Sequence, residues 1–283
     1  MSGFDSFSLA LFTTLAPAGV VAFIVLALVR LTCRNHDEAV RVDRIVALPF
    51  AVTLIGFIAS ATHLGTPANA LHVFSGVGTS PLSNEVLAAV IFLFLVGAYW
   101  MSAFKVNFPD CLARPWLTVA CAAGLALIAC TSLAYSARTV PTWDTPYTPA
   151  NLILAACLAG PVLALPFLAL ARVRRRSIER ALVVGAAAAL VLGTASLAMQ
   201  NVDLATIANN EVSALSLAPH YGLIIVAYAV LGALAVAAAG ASLGRALAPR
   251  GVLALRIIAT ILALSGVFLV RTVFYALHMT VGF

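Results

Sequence analysis

Eight apolar runs, at about 8–31, 45–61, 85–104, 115–137, 149–171, 181–200, 221–243 and 252–276, constrain this 283-residue chain more than any other feature. Each is long enough to cross a hydrocarbon core of about 30 Å as a helix, the run at 45–61 being the shortest. The runs are continuously apolar and do not alternate, so they read as helices and not as barrel strands. Only 9 % of the residues are charged and 63 % are hydrophobic, against about 25 % charged in a soluble domain. Too few polar side chains remain to cover a water-facing surface. The expected fold is all-α: a polytopic membrane bundle of eight transmembrane helices, forming one integral membrane domain over 1–283. The longest polar connection is about twenty residues, too short for a separate catalytic domain of about 50 residues or more. No basic stretch precedes the first run and no cleavage site follows it, so no removable signal peptide is expected.

Charge sets the orientation. Fourteen of the sixteen Lys and Arg residues flank the odd-numbered connections; only Arg138 and Arg271 lie at the other end. The positive-inside bias places the odd connections in the cytoplasm and both termini on the outer, periplasmic side. The net charge of +6 is thereby a topology signal and needs no nucleic-acid partner. The basic run Arg172–Arg176 is expected to meet lipid headgroups of the bilayer. Pro17, Pro161 and Pro166 fall inside runs and should kink them, with neighbours satisfying the freed carbonyls. Cys33, Cys111, Cys121, Cys130 and Cys157 show no C-x-x-C pair and no iron–sulfur spacing, and read as small core residues. No metal ligand set is expected.

The titratable groups other than Lys and Arg gather at the end opposite the basic connections. Glu85, Asp144, Asp203, Glu211, His63, His72, His220 and His278 all fall there, with Trp143, Tyr147, Tyr221 and Tyr275 at the level where interfacial aromatic rings lie. The stretch 56–85 holds most of the chemistry, including His63, Glu85 and several Gly and Pro residues, with no Lys or Arg. Ser80-Pro81 or Ser83 can open the third span. Glu85 then reads either as a first-turn acid on a helix dipole or as a proton acceptor at the edge of low dielectric. His63 reads as an interfacial side chain bound to a loop carbonyl, as a partner for a quinone oxygen, or as a haem ligand. A membrane haem wants histidines on facing helices, and no span interior here holds one, so no haem is expected. Arg271 sits about five residues inside the last span, where it either snorkels to headgroups, pairs with an acid such as Glu85, or lines a site. Asp203 marks the start of a solvated connection. A transporter would place polar groups at the midplane; those regions are Leu, Ala, Val and Ile, which favours a site at one face reached from the lipid.

Four motifs carry a resemblance. Gly-Phe-Ile-Ala-Ser-Ala-Thr-His-Leu-Gly-Thr-Pro (56–67), Leu-Ser-Asn-Glu (82–85), Val-Pro-Thr-Trp (140–143) and Phe-Tyr-Ala-Leu-His-Met-Thr-Val-Gly (274–282) resemble the membrane anchor subunit of the bacterial dimethyl sulfoxide reductase family. With the eight spans they cover nearly the whole chain. The resemblance implies an anchor in the cell inner membrane that takes part in anaerobic respiration. Its partners would be a four-cluster iron–sulfur subunit and a molybdopterin catalytic subunit. Its redox substrate would be menaquinol, with no haem and no iron–sulfur cluster in this chain. It implies quinol-binding roles for the histidine and glutamate that match His63 and Glu85. Arg271, Tyr275 and His278 are further candidates for that site from position alone. The alternatives are a purely structural anchor and a small-molecule transporter.

Overall fold

The computed structural model describes residues 3–33, 35–62, 67–104, 109–244 and 247–279. Ten α-helices and a short 3-10 segment, Pro67–Gly76, make up the described elements. The helices are α1 (Gly3–Leu31), α2 (His36–Ile45), α3 (Ala47–Ala61), α4 (Pro81–Ser102), α5 (Asp110–Tyr135), α6 (Tyr147–Leu170), α7 (Arg176–Leu204), α8 (Ala214–Leu217), α9 (Tyr221–Ala241) and α10 (Pro249–Ala276). Eight segments are long and apolar enough to cross a membrane. They follow the eight runs of the sequence with one change. The shortest run becomes a 26-residue span, His36–Ala61, because α2 and α3 meet at Val46. Its first part is amphipathic and charged, which is why hydropathy alone truncates it. Asn35 caps α2 by accepting a hydrogen bond from the Asp37 N–H at 2.9 Å.

Two helices form the centre. About three quarters of the apolar window of α1 and α6 is buried, 78 % and 72 %, against 22–39 % for the other spans. α1 packs on α3, α5, α6 and α10, and α6 packs on α7 and α10. Close approach at the centre depends on glycine: a Cβ on Gly160 of α6 would collide with Val21 of α1. Small residues at crossings are how membrane helices gain contact where no hydrophobic drive between them exists.

Of the two prolines inside α6, Pro161 and Pro166, the second is compensated by a neighbouring helix. Pro166 has no N–H to give to the Val162 carbonyl one turn earlier. The Thr260 hydroxyl of α10 donates to that carbonyl instead, at 3.3 Å.

The basic end of the bundle is more than a topology signal. Arg30, only 3 % exposed, donates from Nε to both Asp43 oxygens at 2.9 Å and from Nη2 to Asp110 at 2.6 Å. The buried Tyr99 hydroxyl donates to the same Asp43 at 2.6 Å, so α1, α2, α4 and α5 are joined by one network. Arg256 lies two turns inside α10 and not at a loop. It is buried, pairs with Glu179 of α7 at 2.8 Å, and donates to the Leu165 carbonyl at 2.9 Å. Arg175 reaches across to Glu38 at 3.0 Å. The cysteines depart from the core reading: Cys33 is buried, whereas Cys111 and Cys157 are exposed on the bundle's outer surface.

Candidate functional site

Ser80 opens α4, accepting from the Ser83 N–H, and Pro81 takes the first helical position. The turn before it is fixed by Gly78, whose φ of +87° suits glycine and whose N–H donates to the Asn84 side chain at 2.7 Å. Helix α4 therefore starts four residues earlier than the apolar run. Glu85 falls beyond the first turn, not within it, so a helix-dipole role does not describe it. It faces inward and is 3 % exposed.

The carboxyl of Glu85 meets α5 and α10. Thr131 of α5 and Arg271 of α10 are its polar neighbours there, both close enough to act on it electrostatically. One carboxyl oxygen, Oε1, has no hydrogen-bond partner among the described residues. No ion pair joins Glu85 to Arg271 among those residues either.

Arg271 does not snorkel. It is 2 % exposed, and its guanidinium lies over Phe274 at 4.3 Å, with the Tyr275 and Tyr135 rings at 5.6 and 5.7 Å. Such cation–π contacts are strongest where water is excluded. Its Nε donates to the Thr13 hydroxyl of α1 at 3.0 Å, and the Tyr275 hydroxyl donates to the same oxygen at 3.2 Å. Its Nη2 has no hydrogen-bond partner among the described residues. Two buried groups of opposite charge thus each keep an unused polar atom.

Two of the sequence motifs form one unit beside this cluster. Trp143 stacks on Phe274 at 4.8 Å, and its Nε1 donates to the Phe274 carbonyl at 2.9 Å. Thr142 donates to the Leu277 carbonyl. The Val-Pro-Thr-Trp segment therefore satisfies carbonyls left open at the end of α10. His278 sits edge-on to Trp143 at 5.0 Å. Trp143, Tyr221 and Tyr275 are buried, so they are not the interfacial belt that their positions suggest.

The structure brings Glu85, Arg271 and Tyr275 together and leaves His278 at the edge of the aromatic unit. His63 lies outside the described residues. Thr13, Thr131 and Tyr135 belong to the cluster although nothing in their sequence context marks them: an apolar run with a threonine every few residues looks like any membrane helix. A groove of about 240 Å³ lies between α4 and α5, lined by Asn84, Ala88, Ile91, Ala126 and Cys130 but not by Glu85 or Thr131. Asn84 adjoins Glu85, and Cys130 adjoins Thr131. Cys130 is itself within electrostatic range of Glu85.

The sequence matches the family of DMSO reductase anchor subunits (DmsC) over residues 1–277. It is 32 % identical over 281 residues to the anaerobic dimethyl sulfoxide reductase chain YnfH of Escherichia coli strain K12, a match spanning 99 % of this protein and 98 % of that one. It is 34 % identical over 285 residues to another anaerobic dimethyl sulfoxide reductase chain of the same strain, with the same coverage. It is 28 % identical over 281 residues to an anaerobic dimethyl sulfoxide reductase chain from Haemophilus influenzae, again over 99 % of this protein and 98 % of the relative. With eight membrane-length helices and a family match along nearly its full length, the protein is a multi-pass membrane protein and belongs to the DMSO reductase anchor subunit family.

Proposed function

We propose that this anchor oxidises menaquinol at its Glu85 end and delivers the electrons to an iron–sulfur partner subunit, which feeds a molybdopterin catalytic subunit. The observation that carries this reading is the unpartnered Oε1 of Glu85, in a buried carboxyl beside a membrane-facing groove. An unsatisfied buried polar atom costs about 1–3 kcal/mol, which a purely structural site would be expected to avoid. Quinol oxidation removes two protons and two electrons. A base within hydrogen-bond reach of a quinol hydroxyl is what the chemistry requires. Glu85 accepts one proton, and the adjacent Thr131 holds the carboxyl in place. His63 bonds the second hydroxyl and accepts its proton. Arg271, Tyr275 and His278 line the far side, the buried cation favouring negative charge as the hydroxyls deprotonate.

The basic connections face the cytoplasm by the positive-inside bias, so the Glu85 end faces the periplasm of a bacterial inner membrane. Quinol enters sideways from the lipid and the protons leave on that side. The groove between α4 and α5 is the route the geometry favours.

The test compares wild type with Glu85→Gln in membranes holding the full complex, using a reduced menaquinone analogue and, separately, a dye that reduces the catalytic subunits directly. Quinol-driven turnover is expected to fall by about 100-fold or more, the scale of general base catalysis, while dye-driven turnover persists. The near-complete burial of Glu85 favours a second reading, a structural acid in an anchor without its own quinol site. That reading is upheld if the two activities change together, both falling where the acid is structural or both surviving where this end holds no quinol site.

A further inference from the structure

At the end of the bundle opposite Glu85, a cavity of about 340 Å³ opens between the α6–α7 connection and the start of α10. Arg172 and Arg174 line it and are exposed, and Ala169, Val173 and Val252 give it apolar walls. Arg256 also lines it, but that charge is matched by Glu179 at 2.8 Å. Neither Arg172 nor Arg174 has an ion pair among the described residues. The cavity therefore carries two uncompensated positive charges over an apolar lining.

The backbone supports a specific role for Arg172. Its φ is +56°, and it is the only non-glycine residue with positive φ among the described residues. The Val173 N–H donates to the Leu168 carbonyl and the Arg172 N–H to the Ala169 carbonyl, both at 3.0 Å. This pair of bonds usually closes a helix on glycine, which adopts the left-handed region at no steric cost. An arginine held there is carried against its backbone preference. Helices α7 and α10 also begin beside the cavity, and neither has a side-chain N-cap. Glu179, in the first turn of α7, also lines the cavity, and its charge is matched there by Arg256.

We propose that this cavity binds the phosphate of an anionic phospholipid, with the arginines on the phosphate and the glycerol and ester region against Ala169, Val173 and Val252. A free phosphate ion would use the charges alone. The apolar walls, at a level where helix ends meet the headgroup layer, match a lipid instead. This site is independent of the quinol reading.

The test is native mass spectrometry of the full-length protein in detergent, titrated with short-chain phosphatidylglycerol, short-chain phosphatidylcholine or inorganic phosphate. Wild type is expected to bind one phosphatidylglycerol roughly ten-fold more tightly than phosphatidylcholine, since each nearby arginine adds to anionic-lipid attraction. The R172G/R174Q double variant is expected to lose that preference. If the double variant does not accumulate, the single R172G variant, whose backbone is relieved, reads out the same loss. Equal binding of the two lipids, or an unchanged preference in the variants, overturns the proposal. Displacement of phosphatidylglycerol by inorganic phosphate at equal concentration assigns the cavity to a free anion and also overturns it.

Discussion

The two ends of this bundle treat buried charge in opposite ways. At the basic end, Arg30 is answered by Asp43 and Asp110, and Arg256 by Glu179, each at hydrogen-bonding distance. At the other end, Glu85 and Arg271 are as deeply buried but make no ion pair among the described residues, and each retains an unpartnered atom; Glu179 Oε1 at the basic end also makes no hydrogen bond but lies 2.8 Å from the Arg256 guanidinium. Charge that is matched within the fold holds helices together. Charge kept apart in low dielectric is held ready for something that arrives from outside, the pattern expected where function overrides local satisfaction.

The comparison can be broken at either end. Removing one partner of the matched cluster should have the largest effect on stability. Arg30→Met strands Asp43 in a buried site, and a loss of about 3–5 kcal/mol is expected, seen as a lower thermal midpoint in detergent and poor accumulation in membranes. Glu85→Gln should do the reverse: a thermal midpoint at or above that of wild type, with the collapse of quinol-driven turnover described above. Equal destabilisation by the two variants would show that both ends are structural. Thr13→Val keeps the shape of the side chain but removes the oxygen shared by Arg271 and Tyr275. About 1–3 kcal/mol of destabilisation is expected from the stranded donors, together with a higher KM for the quinol analogue as Arg271 loses its fixed position.

The smallest effect is expected at Arg175. Its pair with Glu38 is partly exposed, so Arg175→Gln should cost no more than about 1 kcal/mol and less in high salt. The hydrogen bond to Glu38 raises the Arg175 pKa above its ordinary value. A group raised in the folded state stabilises fully below its unfolded pKa and loses that contribution only above it. The contribution of Arg175 should accordingly be flat in unfolding measurements across the neutral range. A dependence between about pH 6 and 9 would point to another group, since arginine does not titrate there.

Much of this architecture is legible in the sequence because membrane length and hydropathy are strong constraints. The eight spans, their order and the proline positions follow from runs of apolar residues alone. The departures have physical causes. Hydropathy stops at the charged face of α2, which becomes helical because it packs its apolar side against the bundle. Arg256 reads as a loop marker because its partner, Glu179, is on another helix. Arg271 leaves snorkelling, pairing and site-lining open in the sequence because nothing near it there reveals the Tyr135 ring and the α1 threonine that help to enclose it. Glu85 stands out because it is an acid at the start of an apolar helix. Thr13 and Thr131 do not, since a threonine in a membrane helix commonly bonds its own backbone, as Thr13 also does to the Leu9 carbonyl.

The bond between Thr13 and Arg271 spans 258 residues of sequence, and that distance has a meaning for how the protein is made. α1 leaves the ribosome before α10. An arginine in an isolated segment makes membrane insertion less favourable, by about 2.5–3.5 kcal/mol at the segment's centre and by less towards its end, where Arg271 lies. The hydroxyl of Thr13 and the ring of Tyr135 belong to segments synthesised earlier, so α10 enters a receptor already built for its charge. The candidate quinol site is therefore completed only once α10 has been made, and a nascent polypeptide lacking α10 has no such site with which to divert quinol.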